Sequence, residues 1–356
     1  MRSSARISAP LLGALFLAAQ IGTATVSARV AAAQEAAPHT TQQSSSRNAE
    51  DSTYLTAALT LPAGRGPHPG VVLLSIAGTA DLVDRLAREG YAVLLPIRRG
   101  FLEVEPLLQA TYQDLASDAQ SALDYLRSRT DIVPSSVAMI GQNDDAPAAM
   151  LSSVAAAEGV PLVLLAPPAF PGREMFRLEQ RSLGEVDRRT PEQLDELDRF
   201  VNGIADIVLG ATLSNLRSYR LTALMGSSRV QLPYNAAFPN DERQIHFFSS
   251  PIWYDRLAFA PEEVLARLHS PVLLVIGNED ASTPLTAYLA AVRRGLAGAR
   301  TQDATVCLIQ GRARHSFTRV EVDAIVTWLA GRVARPGGPV PRPSPLTGCL
   351  PDPPPS

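Results

Sequence analysis

The sequence predicts an α/β fold, a mostly parallel central sheet flanked by helices and carrying a helical cap insertion. Three observations predict it. Short apolar runs without alternation recur at residues 71–75, 92–96, 137–140, 162–166, 271–276 and 305–309, the pattern of strands covered on both faces. Segments with helical spacing, 80–89 and 112–127, lie between them. That alternation calls for right-handed crossovers in a parallel sheet. Finally, the run at 137–140 passes through Gly141 into a helix start at Ala146-Pro147, a strand, sharp turn and helix in sequence.

Taken in order, residues 1–33 carry Arg2 and Arg6, an apolar run over 9–26, and small-residue exits at Val26-Ser27-Ala28 and Ala31-Ala32-Ala33. This is the layout of a signal peptide cleaved after Ala28 or Ala33. No later apolar stretch reaches the roughly 20 residues that cross a bilayer. The expectation is therefore a secreted or periplasmic protein without a stable membrane anchor after cleavage. Residues 34–52, rich in Ser and Gln, read as a flexible linker, and the domain proper as 53–335. The proline-rich stretch 336–356 reads as an extended tail outside the core.

Within the domain, 54–61 alternates as an edge strand and ends in a turn through Pro62, Gly64, Gly66 and Pro69. The insertion spans 171–250. Thr190-Pro191-Glu192-Gln193 is a capping box with proline at the first helical position. Leu194, Leu197, Val201, Ile204 and Val208 follow as one apolar stripe, expected to pack on the sheet; the alternative is a lid over a pocket, with Trp253 and Tyr254 lining its entrance. Trp253 and Tyr254 are candidate pocket-wall residues on either account.

The candidate site is Gly141-Gln142-Asn143-Asp144-Asp145. Strand, turn and helix are the setting of a nucleophile elbow, where the turn lifts one side chain above the sheet. Asn143 stands at that position, and a carboxamide has no ionisable proton to give a base. The strand at 271–276 leads to Asp280, followed by a helix start at Pro284, and the strand at 305–309 leads to His315. The order nucleophile, acid, histidine converges on the carboxyl edge of the sheet. Asn and Asp also favour helix N-caps, so Asn143 or Asp144 is expected to satisfy backbone N–H groups there. A capping role coexists with an active-site position.

With these segments in hand, the chain resembles secreted bacterial α/β-hydrolases of the esterase and dienelactone-hydrolase-like group, related to prolyl-oligopeptidase-type acyl hydrolases. The resemblance rests on residues 71–75, Glu89-Gly90-Tyr91-Ala92-Val93-Leu94, Tyr112-Gln113-Asp114-Leu115 with Asp118, the elbow, residues 162–168 with Phe170-Pro171-Gly172, Ser250-Pro251-Ile252-Trp253-Tyr254, and the strands leading to Asp280 and His315. It implies an α/β-hydrolase fold with Asp280 and His315 as acid and base. Asp144 would supply a backbone oxyanion donor, and Ile76 or Ala77 the second. The departures lie at the elbow, where relatives have His-Ser-Glu-Gly-Gly or similar. Here Asn143 replaces the serine, and Asp145 stands in a small-residue position, which puts the tight turn geometry in question.

Composition removes other classes. The net charge of -3 offers no basic face for nucleic acid. All 32 basic residues counted as Lys plus Arg are arginine, which excludes a Schiff-base lysine and a P-loop. The five histidines are scattered, so no metal site is implied, nor any cofactor. Cys307 and Cys349 either bridge the tail to the domain or leave Cys307 as a small buried hydrophobe. A protein partner is not specified. Three readings follow. The first is a catalytically impaired descendant of a carboxylic-ester hydrolase that retains a pocket for a small ester or acyl ligand. The second is an active hydrolase with Asp144 as nucleophile, which needs the turn slipped by one residue. In the third, water is activated directly by the His315–Asp280 pair.

Overall fold

Eight strands form one sheet in the order β1-β2-β4-β3-β5-β6-β7-β8: β1 (His39–Arg47), β2 (Tyr54–Pro62), β3 (His68–Leu74), β4 (Ala92–Pro96), β5 (Ile132–Gln142), β6 (Leu162–Leu165), β7 (Val272–Gly277) and β8 (Ala304–Ile309). The computed structural model describes residues 39–75, 78–156, 159–211, 213–233, 241–279, 285–311, 317–334 and 342–350. The first two strands pair antiparallel, β2 pairs antiparallel with β4, and every pairing from β4 to β8 is parallel. Leu73, Ile140, Val163 and Leu274 have no exposed surface. Burial on both faces is why these strands read as unbroken apolar runs.

Chain order reverses around β3, which lies between β4 and β5. A reversal of this kind opens a crevice beyond the carboxyl ends of the strands, where α/β sheets hold ligands. Helix α1 (Ala80–Arg88), the short α2 (Glu105–Leu108), α3 (Tyr112–Ser128) and α4 (Ala146–Ala155) connect the first half. Helix α3 begins in a capping box, with Thr111 accepting from the Asp114 N–H and Asp114 accepting from the Thr111 N–H.

Both sheet margins depart from the sequence-based expectation. Residues 39–47, read as flexible linker, are the edge strand β1, paired with β2 from His39↔Pro62 to Arg47↔Tyr54; β2 is consequently interior. Only one face of such a strand needs cover, so Thr, Gln and Ser suffice while the backbone bonds do the holding. Buried Asn48 fixes the hairpin: its N–H donates to the Thr53 carbonyl, its amide to Asp118, and its side-chain oxygen accepts from Ser117. At the other margin the tail is joined to the core. Cys349 is disulfide-bonded to Cys307, the Leu350 N–H donates to the Leu308 carbonyl at 2.7 Å, and Leu346 packs on the core. The covalent link and the added backbone pairing override a composition that alone favours an extended chain.

The insertion is a compact unit of its own, Phe176–Tyr254, and the rest of the described chain is the other. Its helices are α5 (Gly172–Val186), α6 (Pro191–Gly210), α7 (Ser214–Ser227), α8 (Asp241–Ser249) and α9 (Pro251–Ala258), the first and last running past its limits. The capping box at Thr190 and Gln193 is formed. The stripe of α6 is buried, with Leu194 and Leu197 against Gly184 of α5. Leu194 and Leu197 thus find cover within the helical unit. Beyond the insertion come α10 (Pro261–Leu265), α11 (Leu285–Ala297) and α12 (Arg319–Ala330). Among the described residues no helix is long and apolar enough to cross a membrane.

Candidate active site

The strand, turn and helix expected around Gly141 are formed. Strand β5 runs to Gln142, which pairs with Leu165 of β6; a single 3-10 turn covers Asn143–Asp145, and α4 starts at Ala146. Asn143 has φ +50°, the left-handed region that Asn tolerates better than most side chains. A positive φ at the apex is how such a turn raises one residue above the sheet. Gly141 is required by close approach, since a Cβ there would lie 2.5 Å from the Ala149 Cβ and 3.1 Å from the Ala146 Cα. No slip of the turn has occurred. The apex is Asn143, and Asp144 follows it.

The expected capping role is corrected. Gln142 holds the cap position of the 3-10 turn and Asp145 that of α4, and neither makes a side-chain cap hydrogen bond. Both aspartates instead face arginines that the sequence analysis did not single out. Asp144 is largely exposed and receives a 2.7 Å hydrogen bond from Nη1 of Arg256. Asp145 is buried at 6% exposure and accepts a 3.1 Å bond from Nη1 of Arg98. Burial pushes the Asp145 carboxyl above its usual range, the neighbouring Asp144 adds to this, and Arg98 pulls the other way. Burial also opposes the charge of Arg98, yet Asp145 and Asp144 hold it above its ordinary value. It stays protonated.

Arg98 follows the carboxyl end of β4, just as Asn143 follows that of β5. The rule that placed the other candidates at strand ends could have found it. The same holds for Ser75, past the end of β3, whose hydroxyl donates to the side-chain carbonyl of buried Gln142. A small cavity beside the turn is lined by Leu74, Ser75, Ile97, Arg98, Asp145 and Ala148, among others. The question raised by Asp145 is thereby resolved: its carboxylate lies against Arg98, and the turn keeps its left-handed apex.

Ile76, Ala77, Asp280 and His315 lie outside the described residues. The segments leading to the last two leave the sheet side by side. Asn278 N–H donates to the Ile309 carbonyl at 3.0 Å, Glu279 N–H to the Gly311 carbonyl at 3.0 Å, and Gly311 N–H to the Asn278 side chain at 2.8 Å. In the helical unit, Trp253 is 7% exposed and packs edge-on to Phe176, with Phe247 and Phe248 also around it. It is part of that unit's aromatic core. Tyr254 is 37% exposed and lies under the guanidinium of Arg217. Among the described residues no cluster of His, Cys, Asp and Glu could hold a metal.

No family model matches the chain. In sequence it is similar to esterase EstD of Thermotoga maritima, 27% identical over 253 residues, which is 64% of this chain and 59% of that protein. The chain thus spans under two thirds of that relative's length. Among solved structures it is similar to 2,6-dihydroxy-pseudo-oxynicotine hydrolase, with a TM-score of 0.50 at 15% identity over 84% of this chain and 71% of that one. It is also similar to DcsB, seen in complex with its substrate analogue, with a TM-score of 0.52 at 15% identity over 83% of this chain and all of that one. At such identities the structural likeness speaks to the fold alone.

Proposed function

We propose that this chain, an esterase-like α/β-hydrolase, is an exported protein descended from a carboxylic-ester hydrolase, with covalent catalysis impaired and a site for a small ester or acyl ligand retained. One observation carries the reading. The left-handed apex between β5 and α4 is occupied by Asn143, so the position that presents a nucleophile presents a carboxamide, which is too weak to attack an ester. The signal-like residues 1–33 support export. Asp144 as nucleophile is the weaker alternative, because its carboxylate follows the apex and is engaged by Arg256. Water activated by His315 with Asp280 would give slow hydrolysis without an acyl-enzyme.

The test is restoration. Asn143→Ser should raise hydrolysis of short p-nitrophenyl esters over the wild type by on the order of a hundredfold, and adding His315→Ala should remove the gain. Asp145→Gly alone is a poor route to the family's small residue, since it strands Arg98. Combined with Arg98→Met it removes both charges, and the triple variant should exceed Asn143→Ser alone. A wild type that already matches the revertant, or that labels stoichiometrically at any serine with a fluorophosphonate, would overturn the reading. Folded, inactive revertants would show that the pocket has been remodelled beyond a lost serine.

A further inference from the structure

Most strongly withdrawn arginines of this chain have carboxylates. Arg98 has Asp145, Arg99 has Asp118 and Asp51, and Arg332 has Asp303. Among the described residues Arg217 has no such partner. It lies in α7, one helical turn before Leu221, which is fully buried, so the spacing carries its stem into the core of the helical unit. It is 8% exposed, and among the described residues neither Nε nor Nη1 has a hydrogen-bond acceptor. A guanidinium cannot discharge to escape burial. An apolar side chain of the same volume would spare the domain the cost of an uncompensated buried charge.

The surroundings restrict what would satisfy it. The ring of Tyr254 lies 5.5 Å from the guanidinium carbon, so one side is held by a cation–π contact and the N–H groups are left for an acceptor. Ser218, the next residue of α7, hydrogen-bonds Ser249 at 2.9 Å, which brings the end of α8 alongside. Buried Phe248 and Trp253, beside Ser249 and Tyr254 in sequence, are apolar. We propose that Arg217 is the anion-binding residue of a ligand subsite in the helical unit, and that its ligand is a small organic carboxylate with an apolar body. A carboxylate matches the planar N–H fork of arginine, and an apolar body suits the aromatic neighbours. The proposal does not depend on the state of the nucleophile position.

Benzoate is the probe, with benzamide as its neutral counterpart and inorganic phosphate as a compact oxyanion, all at constant ionic strength, read by calorimetric titration and thermal melting of the purified protein. Benzoate should bind and raise Tm, and neither benzamide nor phosphate should match it. Arg217→Met should weaken benzoate at least tenfold, the loss of one charge-assisted bond, while Tm without benzoate stays level or rises. Arg217→Lys, which keeps the charge and loses the fork, should retain part of the affinity and guards against a misfolded methionine variant. Equal responses to benzoate and benzamide, a methionine variant that binds as the wild type does, or phosphate binding as well as benzoate would each overturn the proposal.

Discussion

Arg98 and Arg217 are both withdrawn from solvent, one beside the elbow and one in the helical unit, and the chain treats them in opposite ways. Arg98 faces Asp145, so the charge is closed off internally. Arg217 faces an aromatic ring, with two of its nitrogens lacking acceptors among the described residues. The difference separates two uses of buried charge. Beside the turn a buried acid is made tolerable by a counter-ion; in the helical unit a cation has two nitrogens without acceptors among the described residues.

The sharpest way to break this comparison is to remove one arginine at a time. Arg98→Met leaves Asp145 buried without its partner and should cost roughly 3–5 kcal/mol in urea denaturation. Arg217→Met, with no carboxylate partner to strand among the described residues, should fall within about 1 kcal/mol of the wild type or above it. Equal losses would mean that Arg217 has a structural role. Arg98→Met with Asp145→Gly should recover most of the first loss, because both charges go together.

A smaller effect should appear in pH dependence. The folded-state pKa of Asp145 is raised above 3.8, so the native state keeps this proton to higher pH than the unfolded chain does. Its contribution is therefore fully present below about pH 4 and is lost as pH rises through the folded value. Relative to Asp145→Asn, the wild type should lose stability as the pH is raised from about 4. A difference that stays flat as the pH rises would show that Arg98 outweighs burial. The smallest effect belongs to the exposed pair: Arg256→Ala releases Asp144 and should change stability by about 1 kcal/mol or less. If that variant also gains esterase activity, Asp144 regains standing as a nucleophile.

The legible part of this protein was the part decided by local pattern. Strands β3 to β8 show as apolar runs because both of their faces are covered, and α3 and α6 show through capping boxes and periodicity. Asn143 at the elbow was legible because strand, turn and helix are contiguous in sequence. The margins were not. Strand β1 is polar, and what makes it a strand is pairing with β2, a set of backbone bonds that composition does not encode. The proline-rich tail belongs to the core through Cys307–Cys349, a bond across 42 residues that the sequence left as one of two choices.

By itself, then, the sequence determined the α/β layering, the strand, turn and helix around Gly141, and the presence of Asn143 at the apex of that turn, since each follows from residues adjacent in the chain. Only the tertiary structure decided how the acids at the elbow are neutralised. Asp145 and Arg98 are 47 residues apart, and Asp144 and Arg256 are 112 apart. The same holds for Arg217, which in sequence is one arginine among 32. That two of its nitrogens have no acceptor among the described residues follows only from how the helices around it pack, because whether a charge is compensated depends on distance in space and on exclusion of water, neither of which is a local property of the chain.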